Sequence, residues 1–109
     1  MDMLYYIYIG SNRVTIDHLS KIAGGMFMAV SSCNKAAKVI DGIRERYNTS
    51  ILYEESTPQK DSQNITFLHK RFPRVYIILI TEGLQKEHRK LYLQAGVNNT
   101  LSPMASEES

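Results

Sequence analysis

The chain has 109 residues, enough for one domain and too few for two. Hydrophobic residues make up 43% and charged residues 22%, ordinary globular usage that excludes a wholly disordered chain. Thirteen Lys and Arg against eleven Asp and Glu leave a formal +2, too small to argue by itself for nucleic acid or an anionic membrane.

Cys33 is the single cysteine, which excludes an intrachain disulfide framework and a cysteine zinc site and fits a reducing compartment. Met1 to Ile9 carries no basic n-region and its apolar stretch ends at Gly10, so it is predicted to be a strand rather than a signal peptide. No apolar run approaches the roughly 20 residues of a spanning helix. The N-x-[ST] sequons at Asn48, Asn64 and Asn98 are therefore taken as chance matches. The expected location is the cytoplasm.

Five strands and four helices are predicted in alternation. The first strand is Leu4–Ile9. Val14, His18, Leu19 and Ile22 then fall at helical spacing, and Gly24-Gly25 stops that helix before a strand at Met26–Val30. Ser32 caps a second helix with Ala36, Val39, Ile40 and Ile43 on one face. Ser50–Tyr53 is the third strand, and Ile65, Leu68 and Phe72 form a third helical stripe closed by Pro73. Val75–Ile80 is the clearest strand, continuously apolar, as expected of a strand buried on both faces of a parallel sheet. Leu84, His88, Leu91, Tyr92 and Ala95 form the fourth stripe, ended by Gly96, and Val97–Leu101 is the fifth strand. Each strand–helix–strand link implies a right-handed crossover and helices on both faces. The acidic, Ser-rich tail Ala105–Ser109 is expected to be disordered.

In such a sheet, ligands bind beyond the carboxyl ends of the strands. The residues there are Gly10-Ser11-Asn12, Ser31-Ser32, Glu54-Glu55-Ser56, Thr81-Glu82-Gly83 and Ser102-Pro103. Three segments carry a resemblance. Val75 to Thr81 is similar to the fourth strand of a response-regulator receiver domain, which ends in a switch Thr or Ser. Tyr92 to Pro103 resembles the stretch in which a helix ends in Ala-Gly and the fifth strand ends in Lys-Pro. Ile51 to Pro58 resembles the third strand, its acidic acceptor and a Pro four residues later.

The resemblance implies a CheY-like, flavodoxin-like three-layer α/β sandwich with a parallel sheet of order 2-1-3-4-5. It also implies a set of functional positions. In the family an Asp ending the third strand takes a phosphoryl group, and an acidic pair after the first strand helps to hold Mg²⁺. A Lys pairs with the phosphoryl oxygens and the Thr hydroxyl reports the modification.

This sequence departs at nearly every such position. Gly10, Ser11 and Asn12 stand where the acidic pair is expected, Glu54 at the acceptor and Ser102, before Pro103, at the Lys. Only Thr81 keeps the residue type. Mg²⁺ requires hard oxygen ligands, and each lost charge-assisted contact to an anion forfeits roughly 1.5–3 kcal/mol. The expectation is a degenerate receiver that is not phosphorylated, holds no metal or cofactor and is not an enzyme.

Several positions admit two readings. Glu54 either mimics the phosphorylated acid by bonding Thr81, or is a solvated or capping carboxylate. Thr81 is either a switch hydroxyl or a cap or strand-end residue, the latter favoured. Ser102-Pro103 is expected to be cis. The Gly10–Asn12 loop lacks a phosphate-loop motif, and His18, His69 and His88 lie on three separate helices without metal-ligand spacing. Ser31, Ser32 and Cys33 have no identifiable base. The basic runs Lys70–Arg74 and Lys86–Lys90 read as solvated helix faces, without direct nucleic-acid contact.

Receivers end with a fifth helix, but only six residues follow Pro103. Residues 1–109 are thus expected to form the amino-terminal domain of a longer protein, with an apolar strip left for an added helix or a second subunit, so a homodimer is one possible state. The function expected is a phosphorylation-independent module that works by protein contact on a partner or a fused output domain. Lys86, Arg89, Lys90, Leu93, Asn99 and Thr100 are the candidate contact residues, and the domain itself makes no membrane contact. The alternative is a residual phosphoacceptor, or a binder of a phosphate ligand with Mg²⁺, at the strand ends. A flavin-binding flavodoxin is weaker still, since the first loop lacks a phosphate-binding run.

Overall fold

A computed structural model describes residues 3–105. Nine elements alternate along the chain: β1 (Met3–Ile9), α1 (Arg13–Ile22), β2 (Met26–Val30), α2 (Cys33–Ile43), β3 (Tyr47–Glu54), α3 (Pro58–Arg71), β4 (Tyr76–Ile80), α4 (Lys86–Ala95) and β5 (Asn99–Leu101). The strands form one parallel sheet in the order β2-β1-β3-β4-β5, as the sequence predicts. Ile7 lies beside Met28 and Ile51, and Ile51 beside Ile77, so one register runs through the centre of the sheet. β3 is longer than predicted because Tyr47–Thr49 pair with Met3–Tyr5. β5 is shorter, beginning at Asn99, although the Asn98 amide still donates to the Ile77 carbonyl.

The helix ends have local causes. The Asn12 side chain accepts from the Thr15 amide and the Ser32 side chain from the Lys35 amide, each capping the helix that follows. Pro58 starts α3, where its missing N–H costs nothing. Gly96 ends α4 at φ +125°, and a Cβ there would lie 2.7 Å from Cγ of His69. Both the left-handed backbone and the close crossing of α3 and α4 therefore require glycine at this position.

The two faces of the sheet differ. On one, α2, α3 and α4 bury Ile7, Ile51, Ile77 and Leu79 beneath Ala36, Ile40, Ile65, Leu68, Tyr92 and Ala95. Each buried Ile or Leu side chain contributes about 1.5–3 kcal/mol of transfer free energy. On the other face α1 lays Ile16 and Leu19 over Tyr8, Leu52 and Ile80. Val14, placed by spacing on the inner face of α1, is instead 69% exposed, and the buried face is Thr15, Ile16 and Leu19. Tyr76 and Leu4 project from the α1 face at 44% and 48% exposure, and Ile78 and Leu101 are half-buried there. β2, at the sheet edge, leaves Met26 and Met28 exposed.

Two local expectations are corrected. The Ser102–Pro103 peptide is trans, like every peptide bond among the described residues. Ala105 is ordered rather than part of a loose tail: it is buried, its amide donates to the Ser102 carbonyl, and its own carbonyl meets Nε2 of His18 on α1. This pairing satisfies the backbone locally and holds the chain against α1. The remainder of the expected disordered tail, 106–109, lies outside the described residues.

Candidate functional site

Beyond the carboxyl ends of β1, β3, β4 and β5, the chain forms four loops that converge as the sequence predicts. The first is fixed by the Gly10 amide donating to the Val30 carbonyl of β2. The next two are tied to their neighbouring strands by the Glu55 amide on Ile80 and the Thr81 amide on Leu101. A cleft of about 230 Å³ lies between them, lined by Tyr8, Asn12, Glu54, Glu55, Thr81, Glu82 and Pro103 among others.

Glu54 turns toward β1 rather than toward β4. Its Oε1 accepts from the Asn12 amide at 2.9 Å and the Tyr8 hydroxyl at 2.8 Å, and its Oε2 from the Ser11 amide at 3.2 Å. The Gly10–Asn12 loop therefore does cradle an anion with its backbone N–H groups, and the anion is this protein's own side chain. Glycine at position 10 is what permits the approach, because a Cβ there would stand 2.6 Å from the Glu54 Cβ and Cδ. Burial, the hydrogen bond to Glu54 and the Glu54 charge, in that order, push the Tyr8 phenol well above its ordinary range, so it stays a donor.

The Glu54–Thr81 pair, one of the two readings of Glu54, does not form; the residue that meets Thr81 is Glu55. Successive strand residues point to opposite faces of the sheet, so Glu54 shares the α1 face with Leu52 and Tyr8, while Glu55 shares the other face with Thr81. The Thr81 hydroxyl donates to Glu55 Oε1 at 2.7 Å and accepts from the Gly83 amide at 3.2 Å. Thr81 is thus a buried strand-end residue, and Gln85 occupies the N-cap of α4. Ser102 closes its own turn, with its hydroxyl accepting from the Met104 amide.

Around the first loop, the oxygens that could meet Mg²⁺ are already engaged. Both Glu54 oxygens are aimed at N–H and O–H donors, and the Asn12 side-chain oxygen is engaged by Thr15. A hard cation needs those lone pairs free. Among the described residues, no three carboxylate, imidazole or thiol groups converge on one point.

A second polar centre, which the sequence reading missed, lies one turn further along. Asp61 of α3 is 1% exposed. It accepts from the Ser56 amide at 2.7 Å, the Tyr92 hydroxyl at 2.8 Å and the Tyr53 hydroxyl at 3.2 Å, while Asn64 donates to Tyr53. Burial, with contributions from the Asp61 charge, holds the Tyr53 and Tyr92 phenols far above their ordinary range. The signal was available: Asp61 heads the stripe Asp61, Ile65, Leu68, Phe72 at helical spacing, so a carboxylate stood where an apolar residue was expected. Asp61 also borders a cavity of about 520 Å³ between the β1 and β3 loops, with Ser11, Ser32, Cys33 and Lys60. Burial first, and then the Asp61 charge, push the Cys33 thiol up, away from the thiolate form a nucleophile needs.

Lys86, Arg89, Lys90 and Leu93 all lie exposed on α4, at the i, i+3, i+4, i+7 spacing of one face. Asn99 and Thr100 are exposed on the adjoining β5. Leu93 is 58% exposed, and Arg89 and Thr100 line a shared cleft of about 250 Å³ with Thr81. His18, His69 and His88 remain on separate helices.

No protein-family model and no curated protein sequence matches the chain. Solved structures match it in fold. The CheY-like protein tadZ from Pseudomonas aeruginosa PAO1 superposes with a TM-score of 0.81 over 99% of this chain and 87% of that one, at 12% identity. A CheY-like receiver domain protein from Methanospirillum hungatei JF-1 gives 0.74 over 99% and 86%, at 16% identity. An atypical orphan response regulator, described as having a phosphorylation-independent regulatory mechanism, gives 0.73 over 95% and 86%, at 12% identity. At these identities the likeness shows the fold, which is that of CheY-like receiver domains.

Proposed function

We propose that this chain is a receiver-like regulatory module that works through protein contact and without phosphoryl transfer. The observation that carries this reading is the Glu54 carboxylate, held by the Ser11 and Asn12 amides and the Tyr8 hydroxyl. In this reading Glu54 is the degenerate acceptor, Gly10, Ser11 and Asn12 replace the acidic pair, Ser102 before Pro103 replaces the lysine, and Thr81 stands at the switch-hydroxyl position, tied to Glu55. To take a phosphoryl group or a metal ion, Glu54 would have to leave three donors, each worth about 1.5–3 kcal/mol to a charged acceptor. The orphan regulator of the same fold offers a parallel for control without phosphorylation.

The contact surface in this proposal is the α4–β5 face, with Lys86, Arg89, Lys90, Leu93, Asn99 and Thr100. Its partner is another protein or a fused output domain. The test is incubation with acetyl phosphate, and separately with beryllofluoride, each with Mg²⁺, followed by intact-mass analysis and NMR. The expected result is unchanged mass and an unperturbed spectrum at Glu54, Glu55 and Thr81. Phosphoryl uptake with shifts at Glu54 and Thr81 overturns the proposal and favours the residual phosphoacceptor.

A further inference from the structure

At the opposite end of the sheet, below the amino ends of β3 and β4, lies a second cavity of about 520 Å³. It is bounded by the carboxyl ends of α2 and α3 and by the turns into β3 and β4, and its charged lining is Arg44, Arg71, Arg74 and Glu45. Its volume is that of a small-molecule site, which typically spans about 300–1,000 Å³.

Two of the arginines have internal reasons to be here. Asp41 pairs with Arg71 and lies 3.9 Å from Arg44, and the carboxyl ends of α2 and α3 favour cations. Arg74 has no such reason: it is exposed and makes no ion pair or side-chain hydrogen bond among the described residues. The second unexplained group is Thr49, on β3, which also lines the cavity. It is 8% exposed, and its hydroxyl oxygen is the one buried side-chain polar atom without a partner among the described residues. An orphaned buried hydroxyl costs about 1–3 kcal/mol, and such groups are rare unless something else completes them.

We propose that this cavity binds a small phosphate-bearing anion, whose oxygens engage the Arg74 guanidinium and complete Thr49 directly or through one ordered water. With both acids counted, Asp41 and Glu45, the three arginines still leave the cavity positive. Guanidinium groups converging from two helix ends and a turn suit the several oxygens of a tetrahedral phosphate better than the two oxygens of a planar carboxylate. The site stands at the other end of the sheet from Glu54, so it is independent of the proposed regulatory reading.

The probe is inorganic pyrophosphate, titrated into the ¹⁵N-labelled protein, with citrate as the carboxylate comparison. The expected result is saturable binding with shifts concentrated at Thr49, Arg44, Arg71 and Arg74, weakening as salt rises. Arg74→Ala, at an exposed turn, is expected to leave the fold intact and weaken binding by at least about tenfold, and Thr49→Val to weaken it while preserving shape. Shifts scattered over all basic surfaces, an unchanged affinity in Arg74→Ala, or citrate binding as tightly as pyrophosphate would each overturn the proposal.

Discussion

Gly10 and Glu54 stand so close that a Cβ added to the glycine would lie 2.6 Å from the Cβ of the glutamate. The contact is the steric condition for the hydrogen bonds that the Ser11 and Asn12 amides give to the carboxylate. Gly10→Ala is therefore expected to expel the Glu54 side chain and destabilise the domain by about 1–3 kcal/mol, as overpacking does. Urea unfolding measures the loss. Adding Glu54→Ala to Gly10→Ala should recover part of it, because the second change removes the clashing Cδ and Oε1 and leaves only the Cβ contact; equal losses in the single and double variants would contradict this.

Tyr92 of α4 donates to Asp61 of α3, and Asp61 in turn holds the Ser56 amide after β3. Tyr92→Phe removes one donor from a buried carboxylate and is expected to cost about 1–3 kcal/mol. Asp61→Ala should cost more, since it leaves the Ser56 amide and two phenols without their acceptor. Hydrogen exchange gives a more specific readout: Tyr92→Phe should raise the exchange of the Ser56 amide, whereas a merely local change in α4 would leave it alone.

Tyr8, Tyr53 and Tyr92 are buried, with burial the first cause that raises their phenols above the ordinary value of about 10. In the unfolded chain these groups lose their protons above about pH 10, while in the folded chain they keep them. The unfolded state then binds fewer protons, so stability is fully present below that pH and falls as pH rises above it. The slope approaches about 1.4 kcal/mol per pH unit for each such tyrosine. Alkaline titration of the unfolding free energy should show the decline, and Tyr8→Phe should make it shallower. A flat profile to pH 11 or so would contradict the buried, protonated phenols.

Leu93 lies exposed beside Lys90 on α4. Leu93→Asp should leave thermal unfolding within about 0.5 kcal/mol of the parent, as exposed substitutions do. If the α4–β5 face is the contact surface, the same change should abolish control of a fused output domain or capture by the partner. The corresponding change at Lys38, exposed on α2, should not.

Much of the architecture was legible in the residues. The alternation of apolar runs and helical stripes, with Gly96, Ser32 and Pro73 at the boundaries, determined the element order, because burying one face of each element in turn leaves a layered α/β sheet as the economical packing. The resemblance of the later segments to receiver domains added the strand order. The replacements at Gly10, Ser11, Asn12, Glu54 and Ser102 were equally visible, since a missing carboxylate or lysine needs no coordinates to detect.

Only the tertiary structure decided where the charged and polar groups point. The sequence could place Glu54 and Glu55 at one strand end but could not tell which would meet Thr81. That choice depends on the alternation of a strand end against neighbours 26 to 46 residues away. Asp61 stood visibly at the head of a helical stripe, but its part as a buried hub comes from Tyr53 and Tyr92, brought to it by packing of β3 and α4. Val14 failed because helical spacing fixes which residues share a face but not the rotation of that face toward the sheet. Local pattern sets the elements; long-range pairing of buried polar groups, each needing a partner, sets the site.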